Sequence, residues 1–305
     1  MAKYRHVVTE EEAGLTVNQI LKANYRFSSR FKTKMKYQGL VDLDGVPSPG
    51  YLKPAPGSVI EVRLPDESSD FPPQDIPIDI LYEDDDLLIL NKQPGITVHP
   101  TKGHPDNTLA NGITKYMLDT GKHFKVRFAN RLDTDTSGIV IVAKSGNVQN
   151  DISAQMRRHS IQKKYIALAH GNITPDDFEI DLPIGRPVDE RVERAVMPVG
   201  GKEARTGVHV LEHFGDDYTL VELTLHTGRT HQIRVHLSHI GHPIVGDTLY
   251  GGAAPDLMKR QALHACHIAF KHPMTGEPLV ISCGLPEDIR TALSSLRESP
   301  SRPQI

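Results

Sequence analysis

Between two stretches able to build a core, the chain carries a segment that neither a helix nor a strand can accommodate. It reads Asp66-Glu67-Ser68-Ser69-Asp70-Phe71-Pro72-Pro73-Gln74-Asp75. Paired prolines remove two backbone donors and fix two φ angles, and the clustered polar residues have nothing to bury. Such a segment is a linker, so the chain is expected to fold as two bodies: a small one over residues 1–65 and a large one over 78–295. Residues 66–77 join them, and 296–305 form a flexible tail. The charge divides in the same way. Residues 1–65 hold ten Lys+Arg and six Asp+Glu, residues 66–90 hold nine acids and no base, and the rest holds 25 bases and 23 acids. The formal charge of −3 therefore hides two mildly basic bodies around an acidic stretch. It excludes a uniformly basic nucleic-acid coat, but not a local patch.

Other classes fall away quickly. Two cysteines, Cys266 and Cys283, cannot make a disulfide framework or a four-cysteine zinc site. No run of 18 apolar residues suggests a transmembrane helix, and Met1-Ala2-Lys3-Tyr4-Arg5-His6 lacks the apolar stretch of a signal peptide. A soluble cytoplasmic protein without a membrane partner is expected, and nothing demands more than a monomer.

In the small body, Val17, Ile20 and Leu21 recur at helical spacing. Ser28 or Ser29 can cap a second helix carrying Arg30, Lys32, Lys34 and Lys36, with Phe31 and Met35 one turn apart. Asp44-Gly45 and Pro56-Gly57 mark turns, and Val59–Val62 a strand. The large body alternates short strands with turns. Ile78–Leu81 and Leu87–Asn91 flank one hairpin signal; Thr206–Phe214 and Tyr218–His226 flank another. Gly138–Lys144, Tyr165–His170, Leu263–Phe270 and Pro278–Cys283 read as strands. Ser145 can cap a helix bearing Val148, Ile152 and Met156, and Thr230–Ile240 fits a short helix. Hairpins mixed with helices indicate an α+β fold whose central sheet is mixed and largely antiparallel with flanking helices, rather than a doubly wound parallel one.

Four segments carry chemistry. In Asn130-Arg131-Leu132-Asp133-Thr134-Asp135-Thr136-Ser137-Gly138 a polar loop runs into a buried-looking strand. Loops held by a rigid strand are where reactive groups sit. Asp133 follows an apolar residue; if desolvated, its carboxylate needs a cation. The bland alternative is that Asp133 or Asp135 only closes a turn. In Thr227-Gly228-Arg229-Thr230-His231-Gln232-Ile233-Arg234-Val235-His236, two arginines bracket His231 and Gln232. An arginine fork can hold a carboxylate through two charge-assisted bonds, though a solvated helix face is the usual fate of such residues. Lys163-Lys164-Tyr165 offers a ring for stacking with cations for phosphates, or else an edge-strand tyrosine between gatekeeper lysines. Asn91-Lys92-Gln93-Pro94-Gly95-Ile96-Thr97-Val98-His99-Pro100 is a strand leaving into a turn.

Together these segments resemble the RluA-type pseudouridine synthases. That family's central motif, His-Arg-Leu-Asp followed by two variable residues and Thr-Ser-Gly, matches 130–138, with Asn130 where His is usual. The lysine-proline-glycine segment matches Lys92, Pro94, Gly95, His99 and Pro100. The Lys-x-Tyr strand matches Lys163 to Tyr165, and the late motif matches 227–236 and then Gly241-His242-Pro243-Ile244-Val245-Gly246-Asp247. The similarity spans roughly residues 78–285. Residues 1–65 resemble the small RNA-binding domain shared with a ribosomal small-subunit protein. The Ser28-Ser29-Arg30 helix and the strands between Gly39 and Ser58 fit it, while its usual Arg-Leu-Asp start is here Thr16-Val17-Asn18.

The resemblance implies an isomerase that turns uridine into pseudouridine within RNA, using no metal and no organic cofactor. Asp133 would be the catalytic carboxylate, attacking the sugar or abstracting a proton from it. Arg234 would pair with Asp133, and Tyr165 would pack against the uracil. Arg131 could fill the place of the flipped base or bind its phosphate. Lys92, Lys163, Lys164 and Arg229 would contact phosphates, and Arg30 and Lys34 would supply a second, salt-sensitive contact. Ribosomal RNA is the favoured substrate and tRNA a possible one. A silent RNA-binding or assembly protein on the same fold, or an aspartate-dependent hydrolase using Asp135 as its second carboxylate, are the rivals. The histidines at 226, 231, 236, 239 and 242, and the set His264, Cys266 and His267, match no zinc spacing.

Overall fold

In the computed structural model, residues 2–64, 69, 71–101, 103–187 and 192–298 are described. The small body begins with β1 (Ala2–Val7) and a 3-10 turn at Glu10–Glu12, followed by α1 (Val17–Asn24) and α2 (Ser29–Gln38). It ends with β2 (Val41–Leu43), β3 (Val46–Pro47) and β4 (Val59–Arg63). Its four strands form one antiparallel sheet in the order β1-β4-β2-β3. The caps explain the helices. Thr16 and Gln19 make a reciprocal capping box for α1, and Ser28 accepts from the Phe31 amide at the start of α2. Val17, Ile20 and Leu21 of α1 meet Phe31 and Met35 of α2 over Ile60 and Val62, so one small core forms.

The large body supplies β5 (Asp79–Glu83), β6 (Leu87–Lys92), α3 (Leu109–Thr120), β7 (Arg127–Phe128), β8 (Ser137–Ala143), α4 (Gly146–Arg157) and β9 (Gln162–His170). It continues with β10 (Asp177–Asp181), β11 (Ile184–Gly185), β12 (Ala195–Val196), β13 (Arg205–Phe214), β14 (Tyr218–Leu225) and α5 (Gln232–His239). The last elements are β15 (Leu263–Lys271), β16 (Pro278–Ser282) and α6 (Glu287–Glu298). Eight strands run β10-β13-β14-β9-β15-β8-β6-β5, with β16 against β15 and β7 against β8. The expected α+β class holds, with a sheet that is mixed and largely antiparallel. β15 lies parallel to β8, over the two pairs His264↔Ser137 and Ala265↔Gly138.

Strand β6 shows why the sheet is covered on both faces. Leu87, Leu88, Ile89 and Leu90 are all fully buried. Leu88 and Leu90 join the core containing Leu109 and Ile113 of α3, whereas Leu87 and Ile89 join the core containing Val148 and Ile152 of α4. Burying each such side chain contributes about 1.5–3 kcal/mol, so both layers are needed.

The described part of the linker, residues 69 and 71–77, has no helix or strand, yet it is not loose. Phe71 packs on the larger core, Asn111 of α3 donates to the Pro72 carbonyl at 2.8 Å, and the Val126 amide donates to Ser69 Oγ at 2.7 Å. Residues 66–68 and 70 of the linker lie outside the described residues. The tail assigned to 296–305 begins too early, because α6 continues to Glu298; 299–305 lie outside the described residues. The two bodies touch. Asn147, in the first turn of α4, accepts from the Ser28 amide at 2.5 Å, and Tyr4 donates to Asp86 at 3.2 Å.

Candidate active site

Asp133 sits on the loop joining β7 to β8, which is fastened at several points. The Thr134 carbonyl accepts from Lys92 Nζ at 2.8 Å and from the Gly95 amide at 3.1 Å. Arg260 donates to the Asp135 carbonyl at 2.8 Å while its fork grips Asp288 of α6. Ser137 pairs with His264 Nδ1 at 2.9 Å. Gly138 has φ +112°, and a Cβ there would lie 2.2 Å from the Ala265 carbonyl oxygen; only glycine lets β8 approach β15 this closely. Asn130, standing where the motif has His, holds the other side of the loop. Its amide donates to the Ile139 carbonyl at 3.0 Å, and its oxygen accepts from the Ile141 amide at 2.8 Å.

Arg234 arrives from α5. Its Nη1 donates to Asp133 Oδ2 at 3.0 Å, while Nε and Nη2 grip both oxygens of Asp247 at 2.6 and 2.9 Å. Burial works against the charge on Arg234, but the two carboxylates outweigh it and raise its proton affinity above the ordinary value. The guanidinium also lies 5.0 Å from the Tyr250 ring centroid. Asp133 Oδ1 has no hydrogen-bond partner among the described residues. Tyr165 lies beside Ala265, which lies beside Gly138, so small residues fill the row between the tyrosine ring and the Asp133 loop. The ring is buried, and burial together with the nearby Asp133 charge pushes its hydroxyl pKa up.

Sequence reasoning brought Asp133, Arg234 and Tyr165 forward, and the fold places them together. It placed Asp247 and His231 within its motifs without giving either a role beside Arg234, and it did not single out Tyr250. Three further points need correction. Lys92 cannot reach a phosphate. It is fully buried, and its three hydrogens go to the carbonyls of Gln93, Ile96 and Thr134 at 2.8–2.9 Å. Burial lowers its pKa to about 7, against the pull of Asp135 and Asp133. Lys164 alternates to the sheet face opposite Tyr165, where it pairs with Glu222 at 2.7 Å. And β9 is an interior strand between β14 and β15, so Tyr165 is no edge-strand tyrosine and the lysines beside it guard no edge.

Lys163 shares the face of Tyr165. Arg131 is exposed without a hydrogen bond or ion pair among the described residues, and Arg229 is exposed with its Nε on the Glu203 carbonyl. Lys34 is half-buried in α2; the side chain of Arg30 lies outside the described part. His236 is held by Thr206 and the Leu182 carbonyl. Among the described residues one trio, Asp84, Asp86 and His272, brings potential metal-ligand atoms within 4.8 Å of one another. Its groups are engaged by Tyr82, Tyr4 and each other.

Residues 86–239 match the model of the RNA pseudouridylate synthase family. The ribosomal large subunit pseudouridine synthase D of Vibrio vulnificus (strain CMCP6) is 37% identical over 96% of this chain and 94% of that protein. An RNA pseudouridine synthase of Bacillus subtilis (strain 168), YjbO, is 41% identical over 76% of this chain and 82% of its own. The structure of human RNA pseudouridylate synthase domain containing 1 superposes with a TM-score of 0.57 at 27% identity, over 75% of this chain and 98% of that one. The matched segment contains Asp133, Tyr165 and Arg234, and the chain belongs to the RNA pseudouridylate synthase family.

Proposed function

We propose that this chain isomerises uridine to pseudouridine in ribosomal RNA, with Asp133 as the catalytic carboxylate. The observation that carries this is the state of that carboxylate: Oδ2 is held by Arg234 at 3.0 Å, Oδ1 has no hydrogen-bond partner among the described residues, and Tyr165 lies near enough to feel the carboxylate's charge. Isomerisation breaks the bond from C1′ to N1 and forms one from C1′ to C5; the C5 proton leaves and N1 gains one. A single oriented oxygen serves this chemistry by attacking C1′ or by taking a proton from the sugar. Arg234, held charged by two carboxylates, orients it. Tyr165 supplies the flat surface for the uracil, and Arg131 the cation that takes the flipped base's place or its phosphate. Lys163 and Arg229 are the remaining phosphate contacts, with Lys92 and Lys164 withdrawn from that role.

The choice of ribosomal RNA rests on the names of the relatives and on the small body. Six cations and no acid lie between Ala13 and Val41. The residue that caps α2, Ser28, bonds through its amide to Asn147 of α4, which ties the start of that basic helix to the large body. Phosphate contacts of this kind lose affinity as salt rises.

The test is pseudouridine mapping by carbodiimide labelling and primer extension, on unmodified ribosomal RNA and tRNA transcripts. Wild type should produce new stops on ribosomal RNA, and Asp133→Asn should produce none while still binding the RNA. Full turnover by that variant would remove Asp133 from its role, and stops confined to tRNA would overturn the substrate.

A further inference from the structure

The site holds a second polar chain that the roles above leave unused. We infer that His231 is a positioning residue, held as its Nε2–H tautomer by Tyr250, which with Arg234 pins Oδ2 of Asp133 and so commits Oδ1 to the reaction. The inference rests on the proposed role of Asp133.

The tautomer follows from the hydrogen bonds. The Arg194 backbone N–H donates to the Tyr250 hydroxyl oxygen at 2.8 Å. That hydroxyl then has one hydrogen to place, and its other polar neighbour among the described residues is His231 Nδ1 at 2.9 Å. Nδ1 is therefore the acceptor, and the ring hydrogen of a neutral imidazole resides on Nε2. Nε2 lies 3.8 Å from Asp133 Oδ2, the same oxygen that accepts from Arg234. That exceeds hydrogen-bond length, and catalytic hydrogen bonds commonly tighten once substrate is bound. Burial, with Arg234 and Arg194 adding to it, lowers the His231 pKa against the opposing pull of Asp133 and Asp247, which agrees with a neutral ring.

The backbone also points this way. His231 has φ +57° and ψ +20°, in the left-handed region, at the residue that opens α5. Non-glycine residues persist there when their surroundings over-determine them. Here the strained residue aims its ring between Tyr250 and Asp133, and the two rings meet edge to face at 5.7 Å. Arg234 makes one bond to Asp133, which leaves the carboxylate free to turn about it. A second donor on the same oxygen fixes its plane.

Single-turnover kinetics on the ribosomal RNA substrate compare wild type, Asp133→Asn, His231→Gln, His231→Leu and Tyr250→Phe, with thermal unfolding of each. Gln and Leu suffer the same backbone strain at 231, but only Gln carries an N–H to the Nε2 position. His231→Leu should lower kcat about tenfold or more with KM unchanged, the effect of losing a donor to a charged group. His231→Gln should stay within about threefold of wild type, since it keeps that donor. Tyr250→Phe, which keeps the ring, should fall between them. Equal losses in Gln and Leu, wild-type turnover in Leu, or wild-type turnover in Tyr250→Phe would overturn the inference while inactive Asp133→Asn leaves the proposed function standing. Turnover by Asp133→Asn would overturn both.

Discussion

Replacing Asp247 by Asn isolates the buried half of the arginine clamp. Asp247 is 1% exposed and accepts four hydrogen bonds: two from Arg234, and one each from the amides of Leu249 and Tyr250 at 3.2 and 3.3 Å. Asn keeps the volume and one oxygen. If that oxygen stays with the two amides, its NH2 faces an arginine N–H and the bidentate grip is lost. Arg234 then has a single compensating charge, Asp133 at 3.0 Å. Breaking a buried pair by removing one partner costs about 3–5 kcal/mol; with the amide bonds retained, the lower end, about 3 kcal/mol, is expected. Domains of this size commonly hold 5–15 kcal/mol, so the variant should remain folded. Arg234 should swing towards Asp133 and displace its carboxylate, and a displacement near 1 Å costs about a hundredfold in rate. Urea unfolding and single-turnover pseudouridine formation read the two effects. Asp288→Asn is the control, because it breaks a similar fork, on Arg260, at a carboxylate whose side chain is 42% exposed; about 1 kcal/mol or less is expected there. A loss below about 1 kcal/mol in Asp247→Asn, together with wild-type turnover, would refute the reasoning.

Lys92→Met should preserve the packed volume but strip three carbonyls of their donor; against about 1–3 kcal/mol for each stands the relief of no longer burying an amine, so a net loss of about 2–4 kcal/mol is expected. Urea unfolding checks it, and turnover should fall as the Thr134 end of the loop loosens; an unchanged midpoint would mean the amine is not bearing on those carbonyls. The pair His272–Asp84 should make stability pH-dependent. The Asp84 hydrogen bond raises the His272 pKa despite burial, so its contribution is complete below the ordinary histidine value and is lost as pH rises through the raised one. His264, pushed down to about 4 by burial, acts in the window below 6.5, and Lys92 acts with opposite sign above 7. The wild-type minus His272→Gln difference in unfolding free energy should therefore shrink between pH 6.5 and 9, and a difference that grows would contradict the assignment.

Local signals were legible where one element settles its own fate. Ser145 followed by Val148 and Ile152 predicted α4, and the cap forms as expected, with Ser145 Oγ accepting from the Val148 amide. Helix α3 was not foreseen because Asn111-Gly112 interrupts it. Gly112 is there for tertiary reasons, since a Cβ would come within 2.9 Å of the Ile76 carbonyl. Lys92 was misjudged because lysine is almost never fully buried, and one of the three carbonyls that receive it, that of Thr134, comes from a loop 42 residues away. Asp133, Tyr165 and Arg234 were found through their motifs, but Asp247 as the partner of Arg234 depends on how α5 turns, which no spacing states. The parallel β8–β15 pair was equally invisible, because two apolar strands carry no mark of which way they will run.

That pair divides the molecule in a way the residue roles alone do not reveal. Along the eight-strand path, β8 and β15 share two register pairs, the shortest joint in it. Asp133 belongs to the half built on β5, β6 and β8, while Tyr165, His231, Arg234 and Asp247 belong to the half built on β9, β14 and β15. The seam is riveted by side chains: Arg234 to Asp133, Arg260 to the Asp135 carbonyl, Gln261 to Thr136 and His264 to Ser137. Damage to those rivets would part the carboxylate from its partners while each half kept its own ladders, leaving an inactive protein whose circular dichroism still looks native.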